Sequence, residues 1–69
     1  MDEMFGAQLK AIRQERGLSR EELSERMGTT TPARIWECEV GRRDVRLSTL
    51  RRFAAALDVS PAVLLEERS

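Results

Sequence analysis

The chain has 69 residues, enough for one hydrophobic core and too few for two. Its 12 basic and 12 acidic side chains cancel, so bulk charge does not announce a nucleic-acid binder. A single cysteine, Cys38, excludes an internal disulfide and, with no histidine, argues against a structural zinc site; no apolar run approaches the roughly 20 residues of a membrane span, and no signal peptide is visible, so a cytoplasmic protein without cofactor is the expectation.

Phe5, Leu9 and Ile12 recur at helical spacing and predict helix one over residues 3–16. Gly17 and Gly28 each stand where a helix ends, in the left-handed position that favours a residue without Cβ. Ser19 followed by Glu22 is a capping box that opens helix two, 20–27, with Leu23 and Met27 inward. Thr31 then Pro32 is a second start, a threonine N-cap before a proline at the first helical position. Helix three spans 32–40, with Ile35, Cys38 and Glu39 on one face, and residues 41–44 form a turn. Leu47, Leu50, Phe53, Ala54 and Leu57 mark helix four, 48–57. Ser60-Pro61 repeats the start signal, and helix five, 61–66, turns Val63 and Leu64 inward. No stretch alternates as a strand does. The expected fold is all-α, five helices in one domain over 1–69 with its core in about 5–65. Helix two, a tight turn and helix three have the layout of a helix-turn-helix, whose second helix usually enters a DNA major groove.

Charge distribution adds to this. Residues 28–57 carry six arginines against Glu37, Glu39 and Asp44, whereas residues 1–27 carry five basic and six acidic side chains. The positive surplus lies in and just after helix three. Arg51 and Arg52 read as the solvent face of helix four. The inventory for catalysis is empty: there is no histidine, no base partner at recognisable spacing from Cys38 and no phosphate-cradling glycine loop. Cys38 reads as a small buried hydrophobe in preference to a redox sensor.

The ordered set Leu9-xx-Ile12-Arg13-xx-Arg16-Gly17-Leu18-Ser19-Arg20-Glu21-Glu22-Leu23, Met27-Gly28-Thr29-Thr30, Ile35, Glu39-x-Gly41-Arg42-Arg43 and Leu47-xx-Leu50-xx-Phe53-Ala54-xx-Leu57-x-Val59-Ser60 resembles the Cro/C1-type helix-turn-helix family, the DNA-binding domains of lambdoid phage repressors and many small bacterial regulators. The likeness covers residues 5–65 and implies a five-helix repressor-like domain. One departure stands out. Gly28 to Gly41 is 13 positions where the family usually has 12, and the extra residue falls within Thr29–Ala33, where it bears on which side chains meet bases.

The resemblance implies roles for individual residues. Arg13 and Glu39 match a structural pair between helices one and three. Arg20, Thr29, Thr30, Thr31, Arg42, Arg43 and Arg46 match positions that grip DNA phosphates. Thr31 doubles as the cap of helix three. Pro32, Ala33, Arg34, Trp36 and Glu37 occupy the helix-three positions facing bases or the groove floor. There Arg34 suits guanine, Glu37 suits cytosine, and Pro32 and Ala33 offer apolar contact. Trp36, an indole on an exposed face, suits DNA or protein. The function implied is a sequence-specific transcriptional regulator bound to double-stranded DNA as a homodimer on an inverted repeat, self-associating through the last helix, Leu65, the tail and the loop near 42–47. The alternative is a protein-interaction module on the same scaffold, such as an antitoxin neutralising a toxin.

Overall fold

Five apolar stripes close on one another. The computed structural model describes residues 3–65, with helices α1 (Glu3–Glu15), α2 (Arg20–Met27), α3 (Pro32–Glu39), α4 (Leu47–Leu57) and α5 (Pro61–Leu65). Among the described residues there is no strand, and no helix is long and apolar enough to cross a membrane. The helical bounds agree with the sequence reading to within one residue. Position 66, expected in helix five, lies outside the described residues.

The core is built from the residues that the helical spacing singles out. Leu9, Leu23, Ile35, Leu50, Phe53, Leu57 and Leu64 are fully buried, and the rings of Phe5 and Phe53 meet tilted at 6.3 Å between centroids. Met27 and Val63 are partly buried against this cluster. Helix α3 packs on α1 and α2, α4 on α2 and α5, and α5 returns to α1. Helix α3 is therefore supported from behind by two helices while its other face stays open.

The α1–α3 contact depends on Gly6. A Cβ there would sit 2.6 Å from the Cys38 carbonyl oxygen and collide with that of Glu39, so the two helix backbones touch only because the side chain is missing.

The ends follow the local signals. Ser19 Oγ accepts from the Glu22 N–H at 3.0 Å and Glu22 Oε1 accepts from the Ser19 N–H at 2.9 Å, completing the capping box of α2. Gly28, at φ 72°, closes α2 with its N–H on the Ser24 carbonyl at 2.9 Å. Thr31 Oγ1 accepts from the Arg34 N–H at 3.2 Å, and Pro32 opens α3, which runs unbroken, so Thr29, Thr30 and Thr31 all precede the helix.

One feature departs from expectation. Leu47, counted with the inward stripe, is 58% exposed at the first position of α4, whereas Val45 in the preceding loop is buried with the core cluster. The end of α4 carries no glycine. Asp58 takes the left-handed conformation at φ 59°, while the Asp58 and Val59 N–H groups bond the Ala55 and Ala54 carbonyls. Arg16 and Arg26 also bond the carbonyls of Asp58 and Ala56, at 3.2 Å and 3.3 Å, a cationic arrangement favoured at a helix C-terminus.

Candidate nucleic-acid interface

The α2–turn–α3 unit is locked by one carboxylate. Arg13 Nε donates to Glu39 Oε2 at 2.6 Å and Arg13 Nη2 to Oε1 at 3.3 Å, a two-pronged pairing with the side chain of Glu39 fully shielded from solvent. Arg13 Nη1 also donates to the Leu18 carbonyl at 2.8 Å, tying in the α1–α2 turn. Arg20 adds a second cation, its Nε donating to Glu39 Oε1 at 3.0 Å. The family resemblance pairs Arg13 with Glu39, and helical spacing sets Glu39 on one face with Ile35 and Cys38, but neither singles out Arg20 as their third member. Its guanidinium, expected on a phosphate, rests on Glu39 and keeps about a third of its side chain open.

Ahead of α3, the Thr31 hydroxyl is occupied as the cap and the Thr29 hydroxyl accepts from Arg52 Nη1 at 3.3 Å. Arg52 read in the sequence as plain solvent face; it stays exposed, and no local spacing points to its contact with Thr29, 23 residues away. Thr30 is half-buried.

The outward face of α3 presents Ala33 and Trp36, both exposed, the indole at 39%, and Pro32 and Glu37 half open. The Arg42 guanidinium stacks over the Trp36 ring, 5.2 Å from its centroid. Arg43 Nη2 pairs with Glu37 Oε1 at 3.2 Å. The loop after α3 is thus folded back on the helix, and Arg42 and Arg43 sit beside the residues expected to read bases. That contact also neutralises Glu37, whose charge would otherwise be repelled near phosphate. Arg34 turns to the other side of α3, towards Arg43, Arg46 and Arg52. Cys38 is buried beneath this region. Burial pushes its thiol up from its ordinary range, against the opposing pull of Arg43, so the sulfur stays protonated and unreactive at neutral pH.

The profile of the family described as helix-turn-helix domain matches residues 4–67. The chain belongs to the helix-turn-helix domain family. Among solved structures, this helix-turn-helix chain is similar to the restriction-modification controller protein C.AhdI from Aeromonas hydrophila, at 34% identity and a TM-score of 0.84, over 90% of this chain and 92% of that one. It is also similar to the clp gene regulator ClgR from C. glutamicum, at 33% identity and a TM-score of 0.86, over 91% of this chain and 80% of that one. A comparison with curated protein sequences gives no significant match. Family and neighbours agree with the fold and mark the chain as a DNA-binding helix-turn-helix regulator.

Proposed function

We propose that this helix-turn-helix chain is a sequence-specific transcriptional regulator that lays α3 in the major groove and acts as a homodimer on an inverted repeat. The observation that carries the reading is the outer face of α3. It presents Trp36 with the Arg42 guanidinium over it and Glu37 neutralised by Arg43, on a helix fixed from behind through Glu39. Pro32, Ala33, Trp36 and Glu37 approach the base edges. Arg42 and Arg43 close on the flanking phosphates, and Arg20, already oriented by Glu39, offers its open edge to another.

A module of this size reaches few base pairs, and phosphate contacts alone give affinities of only about 10⁻⁴–10⁻⁶ M. Two copies on half-sites roughly 34 Å apart supply the rest. Leu47 and Leu65, 58% and 51% exposed, are the apolar side chains that support self-association at the start of α4 and on the last helix. The tail, positions 66–69, lies outside the described residues.

Selection of duplexes from a random pool tests the reading. The expected result is a two-fold symmetric site with a fixed half-site spacing and affinity that falls steeply with salt. A pool that yields no enriched site and no salt-dependent duplex binding rejects it and favours a protein partner on the same scaffold.

A further inference from the structure

Between α3 and α4 lies a cleft of about 380 Å³, in the lower part of the ~300–1,000 Å³ range of small-ligand sites. Arg34, Arg43, Arg46 and Arg52 line it against one carboxylate, Asp44; with Arg43 paired to Glu37, two positive charges remain uncompensated in one concavity. A concave surface of one sign concentrates its field and draws in counter-ions. The floor is apolar, formed by Cys38, Val45 and Phe53, all buried.

The donors are available. Among the described residues the guanidinium groups of Arg34 and Arg46 have no hydrogen bond or ion pair. Arg52 makes one neutral contact, to the Thr29 hydroxyl at 3.3 Å, and Arg43 makes one solvent-exposed pair, to Glu37. The Thr49 side chain, one helical turn before Arg52, adds a hydroxyl to the same wall. Several guanidinium forks lining one cleft from two helices and a loop can each take a pair of oxygens, which suits a phosphate group, with its three or four oxygens, better than a halide.

We propose that this cleft is a phosphate-type anion site, with Arg34 and Arg52 as its principal ligands and Arg46 and Thr49 in support. The phosphate comes either from a DNA backbone or from a free phosphate compound, and only the first source rests on the DNA-binding reading above. On either source Arg34 serves an anion and not a base edge, and Arg52, on α4, joins the binding surface.

The test uses the full chain labelled with ¹⁵N. Inorganic phosphate is titrated at constant ionic strength, balanced with chloride, while the arginine Nε–H and the Thr49 and Arg52 amide signals are followed. Saturable shifts confined to the cleft are expected, with affinity lowered about ten-fold or more in Arg34→Gln and in Arg52→Gln, the size of one charge-assisted hydrogen bond. Both side chains are exposed, so unchanged melting temperatures verify that the variants fold.

The same variants are then assayed on a duplex that wild type binds. Loss of duplex affinity with a shallower salt slope assigns the site to backbone phosphate. Unchanged duplex affinity together with weakened phosphate binding assigns it to a free compound. No saturable phosphate shift together with unchanged duplex affinity overturns the proposal while leaving the DNA-binding reading standing. A wild type that binds no duplex removes that reading instead, and the phosphate titration then decides the cleft alone.

Discussion

Arg20, the first residue of α2, and Glu39, the last of α3, meet at 3.0 Å between Nε and Oε1, so the two ends of the helix-turn-helix are tied across the unit. The other carboxylate oxygen takes Arg13 Nε from α1 at 2.6 Å. Glu39→Ala leaves the buried Arg13 cation without its partner, and the loss is expected to be about 3–5 kcal/mol. That is a large share of the ~5–15 kcal/mol that holds a typical domain together. Arg20→Gln removes a partly solvated partner and is expected to cost no more than ~1 kcal/mol. Urea unfolding of the two variants checks the ranking; a Glu39→Ala midpoint equal to wild type contradicts it.

Gly6→Ala separates two opposing effects. Replacing glycine by alanine inside a helix favours the helix by about 0.8–1 kcal/mol when nothing is in the way. Here the new methyl meets the carbonyl oxygens of Cys38 and Glu39, backbone atoms that move only if α3 moves. The steric term is expected to win, with a net loss of about 1–3 kcal/mol. A thermal melt at or above that of wild type refutes the close approach of α1 and α3.

The fold was legible because its signals are local. Ser19 with Glu22, Thr31 with Pro32, and Gly28 each act within one helical turn, and the stripe Leu50, Phe53, Ala54, Leu57 repeats at one period. Leu47 misled because periodicity says which face a residue shares, not whether anything packs above the first turn. Asp58 escaped because an aspartate tolerates the left-handed conformation that glycine advertises. The site was legible in part. Glu39 stands out as a charge on an apolar face and the family resemblance supplies its partner Arg13, whereas Arg20 on Glu39 and Arg52 on Thr29 arise from tertiary approach across 19 and 23 residues.

Acid should weaken the capping box. The Glu22 carboxyl is held below its ordinary range chiefly by the Ser19 N–H, then by the Ser19 hydroxyl, against a smaller opposing effect of desolvation and with a lesser pull from Arg26. Because the folded value is depressed, the stabilisation is complete above the ordinary glutamate range near pH ~4.3 and fades as pH falls through the folded value. Wild type is expected to melt higher than Glu22→Gln at neutral pH, and the gap is expected to close in acid. A gap that is constant with pH shows that the carboxylate charge plays no part.

DNA contact gives the sharpest contrast, because Trp36 and Arg42 touch each other while belonging to different classes of contact. Arg42→Ala removes a phosphate contact, so it is expected to weaken all duplexes alike and to lower the salt slope by about one unit. Trp36→Ala removes a groove contact, so it is expected to cost about 1–3 kcal/mol on the preferred site and to relax preference at one position, with little change in salt slope. The two effects are not additive on this geometry. With the indole gone, the Arg42 guanidinium loses the ring it rests on at 5.2 Å, and part of its contribution should already be missing in the single variant. The double variant is therefore expected to lose less affinity than the sum of the two singles. Duplex affinities for all four proteins at several salt concentrations check this; strict additivity means that the stacked pair does not persist on DNA, and unchanged affinity in both singles removes this face of α3 from the interface.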